Sequence, residues 1–153
     1  MNTKNQLYTT LMVVEDSDED FEALSRVLLK LGLDSRVQRC RDGQECLDEL
    51  RRKNADISSD YMPLILLDLN LPGLDGREAL REIKADPGLR DVPITVLTTS
   101  SNVRDVEECY AAGANAYVIK SLDFNEFANS IEALTEFWLG SVTFPPYMSM
   151  VKQ

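Results

Sequence analysis

Histidine is absent from all 153 residues. Without an imidazole there is no Ser-His-Asp or Cys-His nucleophilic site, no His-rich metal centre and no phosphohistidine. Any chemistry falls to carboxylates, hydroxyls, ammonium groups and thiols. Cysteine is scarce too: Cys40, Cys46 and Cys109 form no CxxC pair and no even set. That argues against a disulfide framework or a structural zinc site and for reduced thiols in a cytoplasmic protein. Long apolar runs are missing. Leu11–Val14 and Leu64–Leu67 stop at four residues, against about 20 for a membrane helix and about 7–15 for a secretory segment. Cations are the minority, 16 Lys and Arg against 26 Asp and Glu, for a formal charge of −10. A nucleic-acid partner, which needs clustered cations, is not expected. Glycine (7) and proline (6) are too few for a low-complexity chain, and 44% apolar residues suffice for a core. The length suits one domain.

What is present is an alternation. Short β-rich runs lie at Thr9–Val14, Ser35–Cys40, Leu64–Leu67, Ile94–Leu97 and Ala116–Ile119. Between them apolar residues recur at helical steps. Phe21, Leu24, Val27, Leu28 and Leu31 mark a first helix stopped at Gly32, and Leu47 and Leu50 a second. Ala79, Leu80 and Ile83 mark a third, ended near Asp86-Pro87. Val103, Val106 and Tyr110 mark a fourth, ended near Gly113. Phe124, Phe127, Ile131 and Leu134 mark a fifth. Arg51–Pro63 reads as a polar surface loop. Five strand–helix units predict an α/β fold: a flavodoxin-like, doubly wound, five-stranded parallel sheet in the order 2-1-3-4-5, with five helices. The residues after about Trp138 leave no room for a second domain.

Open α/β sheets bind ligands outside the carboxyl ends of their strands, at the switch in strand order. The residues at those ends are Glu15-Asp16 after strand 1, Asp68 after strand 3, Thr98 at strand 4 and Lys120 after strand 5. Order 2-1-3-4-5 gathers them on one edge. Two carboxylates about 4 Å apart repel by about 4 kcal/mol at an effective dielectric near 20, and a divalent cation relieves this. An all-oxygen donor set favours Mg²⁺, with Mn²⁺ as the alternative ion. The constellation suits phosphoryl transfer onto a carboxylate, which needs alignment and charge compensation more than covalent help. Asp68, on the central strand, is the nucleophile. Asp16, with Glu15, would hold the metal. Lys120 and Thr98 would stabilise phosphoryl oxygens.

The segments VVEDSDED (13–20), LILLDLNLPGLDGREAL (64–80), PITVLTTS (93–100) and AYVIK (116–120), in this order and spacing, resemble the receiver domain of two-component response regulators. The resemblance covers residues 7–139, leaving 140–153 as a C-terminal extension. It implies that Asp68 is the phosphoacceptor and that Glu15, Asp16, Asp68 and the backbone carbonyl of Asn70 bind the metal. It also implies that Thr98 and Tyr117 form the switch and that Lys120 is the stabilising lysine. Within receivers, VLTTS (96–100), SLDFNEF (121–127) and FWLGSVTFPP (137–146) resemble the single-domain regulators paired with bacterial phytochromes, especially those of cyanobacteria. The expected partner is therefore a histidine kinase, of the phytochrome type, and the only catalysis is on Asp68 itself. One residue departs from the family: Ser121 stands where receivers carry a cis proline. A cis bond before a non-proline residue is unfavourable by about 2.5–4 kcal/mol. Whether Lys120–Ser121 is cis or trans is left open, and with it the aim of Lys120.

Other features have plainer roles. Asp18 to Glu22 are expected as surface or helix-terminal charge. Thr99, Ser100 and Ser101 read as loop and cap residues, although Ser100 and Asn70 stand where the family controls water access to the acyl phosphate. Phe137, Trp138, Leu139, Phe144, Pro145 and Tyr147 form an apolar tail, expected to make a homodimer or partner contact. A degenerate receiver serving as a phosphorylation-independent scaffold is the alternative, and Ser121 favours it. A flavin module is disfavoured by the acidic loop after strand 1. An aspartyl-phosphate hydrolase is disfavoured because no carboxylate sits two residues after Asp68.

Overall fold

The computed structural model describes residues 9–55 and 62–145. Tyr147, named above among the tail contacts, lies outside them. The β-branched and leucine-rich runs form strands β1 (Thr9–Val14), β2 (Val37–Cys40), β3 (Met62–Leu67), β4 (Ile94–Thr98) and β5 (Ala116–Ile119). The helices are α1 (Asp18–Lys30), α2 (Gly43–Ala55), α3 (Gly76–Ala85), α4 (Val103–Ala112) and α5 (Phe124–Glu136). All four strand pairings are parallel, and the order is β2-β1-β3-β4-β5. The fold expected from the alternation is the fold observed.

Strand periodicity divides the core in two. Leu11 and Val13 of β1 and Leu64 and Leu66 of β3 face α1 and α5, packing on Leu24, Val27, Leu28, Phe127 and Ile131. Their neighbours Met12, Val14, Ile65 and Leu67 face α2, α3 and α4, packing on Cys46, Leu47, Leu50, Leu80 and Ile83. Both faces are covered, which is why β1 and β3 read as unbroken apolar runs. Each such leucine contributes about 1.5–3 kcal/mol by leaving water.

Caps set the helix ends. Ser17, Asp75, Asn102 and Asp123 accept hydrogen bonds from backbone N–H groups in the first turns of α1, α3, α4 and α5. Gly113, at φ +107°, closes α4.

Two boundaries differ from expectation. Arg51–Pro63 is not all loop: α2 runs through Ala55 and β3 begins at Met62. The polar residues from Arg51 onward are the solvent face of an amphipathic helix, with Arg52 paired to Glu49 at 2.8 Å. Asp34–Arg36 forms a 3₁₀ turn rather than the start of β2. Pairing of β2 with β1 starts at Leu11 and Val37, and the Arg36 N–H before it donates instead to the Leu33 carbonyl at 3.0 Å. Beyond α5, Phe137–Ser141 continues as a π turn.

Candidate functional site

Register places the polar residues side by side. Val14 pairs with Leu67, so Glu15 and Asp68 leave adjacent strands together. The Asp68 N–H donates to the Val14 carbonyl at 3.1 Å, extending the ladder by one residue. Thr98 pairs with Ile119, and the Lys120 N–H donates to the Thr98 carbonyl at 2.7 Å. The sheet thus delivers an acid, an acid, a hydroxyl and an ammonium to its carboxyl edge, at the switch between β1 and β3.

Glu15, Asp16 and Asp68 each bring one carboxylate oxygen to within 4.8 Å of the others. Glu15 and Asp68 are buried, at 4% and 8% exposure, and Asp16 is exposed. Lys120 reaches into this group. Its Nζ is hydrogen-bonded to Glu15 and lies 3.0 Å from Asp20 Oδ2 and 3.4 Å from Asp68 Oδ2. Burial pushes the Glu15 carboxyl well above its ordinary value, and the charge of Asp68 adds to this against the opposing hydrogen bond from Lys120. Burial works against the Lys120 ammonium, but Glu15, Asp68 and Asp20 outweigh it and raise its pKa. One ammonium does not balance three clustered carboxylates. The residues fit a hard divalent cation: the donors are all oxygen, they converge, and one is open to water. Asn70 adjoins them through its backbone, its N–H donating to Asp68 Oδ1 at 3.5 Å.

The Lys120–Ser121 peptide is trans, as no cis bond occurs among the described residues. Ser121 shapes the following turn with its hydroxyl, which donates to Glu126 at 2.8 Å and accepts from the Asp123 N–H at 3.1 Å. The lysine still points at the acids.

Thr98 is fully buried. Its Oγ1 accepts from the Ser100 N–H at 3.4 Å. Tyr117 packs inward on the α2–α4 side of the core, and its hydroxyl donates to the Ser100 carbonyl at 2.9 Å. The Ser100 hydroxyl is turned away from the acids, donating to Asp105 at 2.6 Å.

The tail residues part company. Leu139 is buried at 5% in the chain's own core, so it is not available to a partner. Trp138 packs partly into the same core and stacks on Phe144, centroids 6.2 Å apart. Phe137 stays outside at 57% exposure, and Pro145 is exposed. Two residues near the site escaped the sequence reading. Asp20 was expected to be helix-terminal charge, yet it bonds Lys120; its place one turn after Asp16 was the available signal. Arg39 of β2 bonds the acid loop, and nothing in the sequence pointed to it.

Comparisons with known proteins agree with this geometry. The family model described as "Response regulator receiver domain" matches residues 11–132. The chain is 38% identical over 135 residues to "Response regulator Rcp1" of Synechocystis, covering 88% of this chain and 92% of that protein. It is 37% identical over 131 residues to "Probable methanogenesis regulatory protein FilR2" of Methanothrix harundinacea, covering 85% and 83%. Among solved structures, the phosphorylated cyanobacterial phytochrome response regulator RcpA superposes with a TM-score of 0.80 at 36% identity, covering 90% of this chain and 99% of that one. The Mn²⁺-bound form of Rcp1 gives 0.78 at 38% identity, with coverage of 89% and 98%. With the acids, hydroxyl and lysine gathered at the edge of a 2-1-3-4-5 sheet and the match spanning most of its length, the chain belongs to the response regulator receiver domain family.

Proposed function

We propose that this chain is a phosphoacceptor that takes a phosphoryl group onto Asp68 from a histidine kinase, with Mg²⁺ held by Glu15, Asp16, Asp68 and the Asn70 carbonyl. The observation that carries the reading is the convergence of the three carboxylates with Lys120 at the β1–β3 switch. In the step, an Asp68 carboxylate oxygen attacks the phosphorus of the donor's phosphohistidine. A P–O bond forms, the P–N bond breaks, and the leaving imidazole nitrogen keeps the electron pair. A bound Mg²⁺ supplies charge neutralisation at the phosphoryl oxygens. Lys120 balances the remaining charge from within hydrogen-bond reach of Asp68. Thr98 donates its hydroxyl to another phosphoryl oxygen once the group is in place. That draws on the loop whose Ser100 carbonyl receives Tyr117, so the tyrosine reports the event at the surface.

The role is that of a signalling module acting in the cytoplasm, not of an enzyme turning over a substrate. The likeness to Rcp1 and to RcpA, a cyanobacterial phytochrome response regulator, supports a phytochrome-type kinase as the donor. The apolar tail supports a homodimer. Ser121, which favours a scaffold role, leaves the Lys120 ammonium among the acids, so phosphotransfer is the reading preferred.

The test is incubation with Mg²⁺ and acetyl phosphate, read by intact mass. Wild type is expected to gain one hydroxylamine-labile phosphoryl group, which does not form when Mg²⁺ is chelated beforehand. Asp68→Asn is expected to gain none. No adduct on folded wild type would overturn the assignment.

A further inference from the structure

The loop carrying Glu15 and Asp16 is held from the neighbouring edge strand by a backbone bond, the Glu15 N–H donating to the Cys40 carbonyl at 2.9 Å, and by one β2 side chain. Arg39 of β2 donates from Nε to the Glu15 carbonyl at 3.0 Å. Its Nη1 lies 2.8 Å from Asp18 Oδ1, at the start of α1. The guanidinium carbon sits 4.4 Å from the centroid of the Phe21 ring, one turn into α1. The side chain is only 16% exposed, and its Nη2 is buried without a hydrogen-bond partner. The fork is therefore committed to the loop rather than to satisfying all its own donors. Its three holds fall on the residue before Asp16, on the residue two after it, and on the helix into which the loop runs. Arg41 also reaches Asp18, at 3.0 Å, but is well exposed.

We infer that Arg39 is a positioning residue for metal binding, fixing the backbone of the Glu15-Asp16 loop so that its carboxylates meet Asp68. This rests on the proposed function only in requiring that the acids hold a divalent cation. The planar fork is what makes the role specific to arginine. A lysine at this place keeps the charge but has neither the paired donors nor the flat face for Phe21. Residues that orient metal ligands typically change affinity about 10- to 100-fold when replaced.

Charge and positioning predict opposite signs. If Arg39 acted only as a nearby cation, removing it would tighten cation binding, and lysine would substitute for it. If it positions the loop, both replacements weaken binding. The experiment is Mn²⁺ titration at fixed ionic strength, following the free-ion electron paramagnetic resonance signal, with the thermal midpoint of the metal-free protein measured alongside. Arg39→Lys and Arg39→Met are each expected to raise the Mn²⁺ Kd about tenfold. Phe21→Leu, which keeps the core contact but removes the ring, is expected to raise it less. The metal-free midpoint of Arg39→Lys should stay near wild type, which separates positioning from loss of fold. Should Arg39→Met be too unstable to titrate, Arg39→Lys and Phe21→Leu decide the matter. An unchanged Kd in Arg39→Lys, or a lowered one in Arg39→Met, overturns the inference while leaving the metal site intact. Wild type failing to bind Mn²⁺ overturns the metal site and, with it, the inference.

Discussion

At the scale of single residues, the loop after β4 is tied down by a chain of polar contacts. Arg77, at the start of α3, grips Asp105 of α4 with two hydrogen bonds of 2.9 Å. Asp105 also accepts the Ser100 hydroxyl, and the Ser100 carbonyl accepts Tyr117. The Arg77 bond, then the Ser100 bond, hold the Asp105 carboxyl down at about 2, against 3.8 ordinarily. The sign follows. A lowered folded-state pKa means the native state favours the ionised form, so the stabilisation is complete above the unfolded pKa of about 4. It fades as pH falls through the folded value near 2. Asp105→Asn is expected to lower stability by about 1 kcal/mol at pH 7, as for a well-aligned bidentate pair. That deficit should shrink below pH 4 and vanish only once the pH falls below the folded value near 2. Urea unfolding of both proteins across this range measures it, and a deficit that does not shrink between pH 4 and pH 2 would refute the ion pair as its source.

At the scale of elements, the junction of β3 with α3 has no slack. A Cβ on Gly76 would stand 2.0 Å from the Asp68 carbonyl oxygen and 2.7 Å from the Leu69 Cα. The Gly76 N–H donates to the Leu69 carbonyl at 3.0 Å, so the first residue of α3 lies directly on the backbone of the acceptor segment. Gly76→Ala must therefore push α3 off β3 or move Asp68. Overpacking of this kind costs about 1–3 kcal/mol, and because the obstructing atoms are backbone rather than a flexible side chain the upper end is expected. Urea denaturation should show a lower midpoint with an unchanged m-value, and acetyl phosphate labelling should slow along with it. A fully stable, normally labelled Gly76→Ala would show that the junction yields more easily than the distances imply. In the sequence this turn shows only within the segment LILLDLNLPGLDGREAL (64–80), where Pro72-Gly73 and Asp75-Gly76 match the family's turn into α3; the close approach that demands glycine depends on how α3 packs.

At the scale of the molecule, a charge of −10 keeps the surface anionic, yet several large apolar side chains remain in water. Among the tail residues described, Phe137 is the exposed aromatic, beside the exposed Pro145, while Leu139 completes the core under α5 and Trp138 carries Phe144. The proposed homodimer would therefore lean on Phe137 rather than on the whole tail. Phe137→Asp is expected to convert a dimer into a monomer by light scattering at micromolar concentration, with Asp68 still labelled by acetyl phosphate. A monomeric wild type would remove the dimer from the account, and a monomer that no longer accepts phosphate would tie the interface to the site.

Local pattern alone specified much of this protein. Alternating runs and helical steps gave the five strands and five helices, because residues buried on both faces or one face leave a period that survives without tertiary information. The strand-end rule then picked out Glu15, Asp16, Asp68, Thr98 and Lys120, since each directly ends or follows an apolar run. Packing decided what period cannot carry. Arg51–Ala55 looked like loop because a helix's solvent face and a loop have the same composition. Asp20 and Arg39 joined the site because α1 and β2 bring them there across the fold. Leu139 turned inward because the chain continues past α5 as a helical turn, setting it four residues after the buried Thr135 on the same face. Ser121 left the aim of Lys120 open until the turn's own hydrogen bonds, to Asp123 and Glu126, settled it. Composition is a property of the chain, whereas contact between distant residues exists only once the chain has closed on itself.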